Sequence, residues 1–181
     1  GGAINMFGNE EQKNKYLPRL TSGEWIGGWG LTEPNAGSDT GGIETKAEAH
    51  GEHWQINGMK HFITSGRVAD LLVVIATTGR TDKGKNEISA FIMMKDQVTP
   101  VRKIQTYGMR ARETSELRFT GSTAEIRGER GSAREQAPTR PSRCRISRAR
   151  LAGGITEPEF KRAIAYGNGR EQRRPRRDAL S

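Results

Sequence analysis

Two short segments carry residue types that could hold a flat, polar ligand. Residues 32–41 contain no large apolar side chain, yet they supply two hydroxyls near a strand end, the carboxylates of Glu33 and Asp39, and Gly37. Such a loop can turn backbone N–H groups and hydroxyls toward phosphates or the polar edge of a ring. An ordinary exposed loop has the same composition. Farther on, Phe62 and Thr64 stand two apart in a segment that reads as a strand, so they face one side. A ring beside a hydroxyl suits a heteroaromatic cofactor, the first stacking and the second hydrogen-bonding a ring nitrogen. Core packing with a satisfied threonine is the competing reading. Glu33 and Asp39 could form an acid pair. His50, His53 and His61 lack the carboxylate or cysteine company of a metal site and read as surface histidines, so no metal is expected.

These residues need elements to position them. Asn9-Glu10-Glu11-Gln12 reads as a helix start, with an Asn cap, acids in the first turn and Gln three residues after the cap. Pro18 predicts a break in that helix's last turn. From Glu24 the period changes. Trp25–Leu31 reads as a strand that leads into the polar loop Thr32–Gly42. Thr45–Ala49 and His53–Asn57 follow, and Asn57-Gly58 predicts a hairpin turn into a return strand over Met59–Thr64. Leu71–Ala76 and Ile88–Met94 are continuous apolar runs of buried-strand length, and Glu116–Phe119 reads as a last strand. The expected class is α+β: a mainly antiparallel β-barrel or sandwich with flanking helical pieces.

Charge divides the chain. Residues 1–121 hold 15 Lys and Arg against 14 Asp and Glu, whereas residues 122–181 hold 15 against 7. The first part uses eight Lys and seven Arg; the second uses one Lys and fourteen Arg. A basic tail raises the alternative of a nucleic-acid-binding protein, but this one lacks aromatic interleaving and any recognisable binding module. An abrupt switch to Arg with Ala, Gly, Ser and Pro also matches a GC-rich gene read partly out of frame, which resequencing would test. No apolar run is long enough to span a bilayer, so no membrane partner is expected. One cysteine, Cys144, excludes an internal disulfide and reads as a passive thiol. The chain opens at Gly1-Gly2 inside what reads as an ongoing domain, and a piece of a longer protein is expected.

Taken together, the segments resemble a known family. Leu31-Thr32-Glu33-Pro34-Asn35-Ala36-Gly37-Ser38-Asp39 followed by Ile56-Asn57-Gly58-Met59-Lys60-His61-Phe62-Ile63-Thr64-Ser65-Gly66 closely resembles the acyl-CoA dehydrogenases. Residues 8–18 look like the end of that family's N-terminal helical domain. Tyr107–Glu116 looks like its middle-domain exit. The resemblance implies FAD held between a β-domain and a helical C-terminal domain in a homo-oligomer, with electron-transfer flavoprotein as acceptor. It implies that Trp29, Leu31 and Thr32 line the flavin, with Thr32 bonding the ring edge, and that Ser38 sits where cofactor and acyl-CoA thioester meet. Phe62, Ile63 and Thr64 would cover the flavin face, with Thr64 near its reactive nitrogen. The family reaction removes a proton alpha to the thioester with a Glu base and passes the beta hydride to the flavin.

The resemblance divides the chain into the end of an N-terminal helical domain (1–23), a flavin-binding β-domain (24–121), an irregular stretch (122–144) and a degraded first helix of a C-terminal domain (145–181). In that last part Gly153-Gly154, Pro158 and Gly167 are expected to interrupt the helix. Arg170 and Gln172 match the family's R-E-Q motif, whose Arg reaches the FAD of a neighbouring subunit, although Arg173-Arg174 stands where Phe-Gly is expected. Arg145 inherits a substrate-binding role. The residue before it, a base in some members, is Cys144, so no catalytic base is identified. The implied location is the cytoplasm, or the mitochondrial matrix if eukaryotic. A folded β-domain without catalysis is the remaining alternative.

Overall fold

The computed structural model describes residues 1–133 and 139–170, with backbone alone for 139–148. It divides into two compact units, Gly1–Ala137 and Pro138–Ser181. The first begins with two helices, α1 (Gly2–Phe7) and α2 (Glu10–Ser22). The α2 start is the expected capping box: the Asn9 side chain accepts from the Gln12 N–H and the Gln12 side chain from the Asn9 N–H. Pro18 does not break α2, which continues to Ser22 and ends at Gly23 in the left-handed conformation (φ +82°). With the apolar Leu17 and Leu20 on both sides of it packed against the core, tertiary contact outweighs the one lost hydrogen bond.

Seven strands follow: β1 (Gly27–Gly30), β2 (Lys46–His50), β3 (His53–Thr64), β4 (Leu71–Arg80), β5 (Asn86–Met94), β6 (Thr99–Lys103) and β7 (Thr114–Ile126). Five of them, β4-β2-β3-β7-β5, close into a ring because β5 also pairs with β4. The architecture is therefore the barrel rather than the sandwich. Closure is thinnest between β2 and β4, where Lys46 opposite Thr77 is the single register pair. Outside the ring, β1 runs parallel to β4 and β6 antiparallel to β7.

The apolar run of β4 serves two cores. Leu72, Val74 and Ala76 join Ile56, Phe91, Leu117 and Phe119 inside the barrel. Leu71, Val73 and Ile75 face outward into a second cluster with Ile4, Tyr16 and Ile92, beneath α1 and α2. A strand covered on both faces needs no polar alternation, which is why 71–76 reads as unbroken hydrophobicity.

Three expectations are corrected. Asn57-Gly58 is not the hairpin turn. The chain turns at Gly51 (φ +59°), and Gly58 (φ +149°) lies within β3 at a register irregularity. Gly58 is required there because a Cβ would come within 2.6–2.8 Å of Thr45. Asn57 Oδ1 accepts from the Gly121 N–H at 2.7 Å and so fastens the bulge to β7. Next, the last strand does not end at Phe119 but runs from Thr114 to Ile126. Ser122 and Ala124 are buried and pair with Ile56 and Trp54, and Ile126 pairs with Phe91. The small buried residues alternate with exposed polar ones, a period-two signal without large aliphatics. Arg127, buried beyond them, donates to the Ala3 carbonyl at 2.9 Å.

Finally, among the described residues the second unit is one helix, α3 (Thr139–Gly169), that runs unbroken through Gly153-Gly154 and Pro158. Strong helix formers on both sides, with the pairs Glu157–Lys161 (2.7 Å) and Glu159–Arg162 (2.9 Å), outweigh the interruptions. Part of the expected irregular stretch 122–144 is thus strand and part is helix. No helix among the described residues is long and apolar enough to cross a membrane.

Candidate functional site

The loop after β1 is fixed in place by a buried charge. Lys60, in the middle of β3, extends Nζ to Glu33 Oε1 (2.6 Å) and to the Leu31 carbonyl (3.0 Å). Glu33 also accepts from the N–H groups of Glu44 (2.7 Å) and Thr45 (3.1 Å). Its backbone N–H donates to the Ala36 carbonyl at 2.7 Å and closes the turn over Pro34-Asn35. Burial opposes the charged form of Glu33, but Lys60 and the N–H donors outweigh it and hold the carboxyl below its usual value. Burial lowers the Lys60 ammonium to about 8 against the pull of Glu33. Asp39 plays a local role, accepting from the Gly41 N–H at 2.8 Å. The two acids therefore structure the loop and do not form an acid pair.

The same anchoring brings the loop to the far end of β3. The His61 N–H donates to the Thr32 carbonyl at 2.8 Å, which places Thr32 beside the His61–Thr64 segment. Here β3 is irregular between Lys60 and Ile63, and Phe62 takes a positive φ of 56°. The irregularity ends simple alternation. Ile63 turns into the barrel core at 2% exposure, while the Phe62 ring stands out at 59%. A non-glycine residue at positive φ that displays an aromatic ring to solvent is an uncommon arrangement and points to a ligand surface. Thr64 is partly buried and accepts a hydrogen bond from Arg112 Nη2.

The sequence-expected residues divide accordingly. Leu31, Thr32, Phe62 and Thr64 belong to segments that the Lys60 and His61 bonds hold together. Trp29, opposite Val73 in β1, packs partly against the outer core. Ser38 is exposed in the same loop. Ile63 can meet a ligand through its backbone only. Arg170 lies in the second unit, where its Nη1 donates to the Tyr166 hydroxyl at 2.8 Å. The side chain of Arg145 and the whole of Gln172 fall outside the described residues.

His50 and His53 are exposed, but His61 is not a surface histidine. Its ring is edge-on to Phe62 at 4.1 Å, and Nδ1 lies 3.4 Å from Glu116. The bulge that exposes Phe62 draws its neighbour inward. Arg102 Nε donates to Glu116 at 2.9 Å and holds that carboxyl below its usual range. Among the described residues no group of three His, Cys, Asp or Glu could hold a metal ion. Composition and spacing do not single out Lys60 or Arg112, which the structure joins to Glu33 and Thr64. The partner of each is distant in sequence, 27 and 48 residues away.

The donor set suits a flat ring with polar edges: two threonine hydroxyls, a displayed aromatic face and a backbone link joining them. Known proteins carry the same framework. Residues 28–122 match the model of the acyl-CoA dehydrogenase middle domain. A short-chain-specific acyl-CoA dehydrogenase of Clostridium acetobutylicum is 45% identical over 174 residues, which cover 93% of this chain and 46% of that protein. The acyl-CoA dehydrogenase of Geobacillus kaustophilus superposes with a TM-score of 0.88 at 34% identity, over 96% of this chain and 47% of the other. An acyl-CoA dehydrogenase of Bacillus anthracis, solved in complex with FAD, gives 0.84 at 32% identity, over 94% and 30%. The chain spans about half the length of curated relatives that it matches.

Proposed function

The chain belongs to the acyl-CoA dehydrogenase family, and on that premise we propose that its β-barrel forms the flavin-facing wall of an FAD-dependent acyl-CoA dehydrogenase. The observation that carries this reading is the Phe62 ring, displayed at positive φ in the segment that the His61 N–H ties to Thr32. In this reading Thr32 bonds the ring edge, Phe62 covers its face and Thr64 donates near its reactive nitrogen, while Trp29, Leu31 and the Ile63 backbone complete the wall. Bound flavin would supply the two-electron acceptor for the beta hydride of an acyl-CoA thioester. Ser38 and Arg145 are assigned to the substrate, and Arg170 and Gln172 to the FAD of a neighbouring copy in a homo-oligomer. Electron-transfer flavoprotein is the assigned acceptor. Residues 1–23 close the N-terminal helical domain, and those from 145 onward open the C-terminal one.

Proton removal alpha to the thioester needs a base within hydrogen-bond reach of that carbon. Glu33 is committed to Lys60 and two N–H groups, and the residue before Arg145 is Cys144. We therefore assign the 181-residue chain cofactor binding without turnover. Titration of the purified chain with FAD, followed by flavin absorbance, tests the assignment. Saturable yellow binding is expected, with no reduction of an artificial electron acceptor by acyl-CoA. A chain that stays colourless and instead binds DNA in a salt-dependent way would overturn it.

A further inference from the structure

Arg112 is a charged side chain that bonds directly to Thr64, a residue of the wall just described. It lies in the loop before β7, where its N–H donates to the Met109 carbonyl at 2.8 Å, and its guanidinium crosses to β3 to donate to Thr64 Oγ1. The loop and β3 are joined by backbone as well: Ser65 N–H donates to the Glu113 carbonyl at 3.0 Å, and Thr64 pairs with Thr114. Glu113, the adjacent acid, directs Oε2 to the Arg67 N–H at 3.3 Å, and among the described residues Arg112 makes no ion pair. The guanidinium charge is left uncompensated beside Thr64.

A threonine hydroxyl has one proton to give and two lone pairs to receive. With a lone pair occupied by a guanidinium that can only donate, the Thr64 proton is directed elsewhere. We propose that Arg112 is a positioning residue that fixes Thr64 as a hydrogen-bond donor to the cofactor ring and places a positive charge one side chain away from it. The inference rests on the flavin reading above. A fixed cation near the ring favours the reduced ring, which carries more negative charge than the oxidised one, and its effect strengthens where water is excluded.

The test uses the full chain loaded with FAD and reads the midpoint potential of the bound flavin against a reference dye during reduction. Arg112→Ser is expected to lower the potential by at least the equivalent of a tenfold change in the oxidised-to-reduced equilibrium, about 30 mV for a two-electron couple. Arg112→Lys, which keeps the charge but not the planar fork, should recover part of that shift. In a Thr64→Val background the Arg112→Ser effect should shrink, since the two residues act together. FAD bound with an unchanged potential in Arg112→Ser overturns the role of Arg112 and leaves the flavin reading intact. An equal shift with and without the Thr64 hydroxyl overturns the positioning role. Failure of the unsubstituted chain to bind FAD overturns the flavin reading and this inference with it.

Discussion

Lys60 and Glu33, 27 residues apart in sequence, form an ion pair with side-chain exposures of 0% and 3%. One residue belongs to a barrel strand and the other to the loop that carries the family fingerprint. The loop is therefore held by the barrel interior, and its conformation is expected to depend on both charges.

Removing one partner leaves the other charged and buried. Lys60→Met should cost about 3–5 kcal/mol in denaturant unfolding. Adding Glu33→Gln should recover much of that loss, because the amide oxygen can still accept from Glu44 and Thr45. A single Lys60→Met variant within 1 kcal/mol of the parent would show that the pair does not hold the loop.

The pair also predicts how stability varies with pH. Glu33 has its carboxyl lowered on folding, so its contribution is present above the unfolded value of 4.5 and is lost as pH falls through the folded one. Lys60 behaves in the opposite limb. Its ammonium is lowered from 10.5 to about 8, so between those values the unfolded chain binds more protons and this residue's contribution to stability rises with pH. Urea midpoints across both windows should give an acid limb that flattens in Glu33→Gln and an alkaline limb that flattens in Lys60→Met.

Gly58 is the backbone counterpart. Gly58→Ala meets Thr45 and a positive φ, and it should destabilise by about 1–3 kcal/mol. Gly37→Ala, with open space around its Cβ position, should stay within roughly 0.5 kcal/mol. Equal thermal midpoints for the two variants would contradict the close approach.

Phe62 is exposed, so its removal should spare the fold and weaken the ligand. Phe62→Ala should leave the unfolding midpoint unchanged and raise the Kd for FAD about tenfold, from about 1.4 kcal/mol of lost stacking and contact area. A fall in stability with unchanged FAD affinity would return Phe62 to a packing role.

Much of this was legible in the residues themselves. The Asn9 cap and the two-sided burial of Leu71–Ala76 rest on local spacing, whereas the grouping of Thr32 with Phe62 and Thr64 is what the family resemblance implies. What escaped depended on partners distant in sequence. Gly58 resembles a turn glycine until Thr45 is placed against it, and nothing near Lys60 in sequence reveals its partner Glu33, which comes from the loop after β1. The end of β7 was missed because Ser122 and Ala124 are small, so its period-two burial carried almost no hydrophobic signal. Strand β6 was missed for a related reason, since all five of its residues are exposed.

The closed ring has one more consequence, for self-association. Open sheet edges recruit strands from other chains. Here the two strands outside the ring are poor templates. β1 is four residues long and three of them are glycine, while β6 contains Pro100, which lacks an N–H, followed by Arg102 and Lys103. A shortened edge and a charged, proline-interrupted one leave little continuous backbone for a neighbour to pair with, so the barrel offers little of its sheet to aggregation.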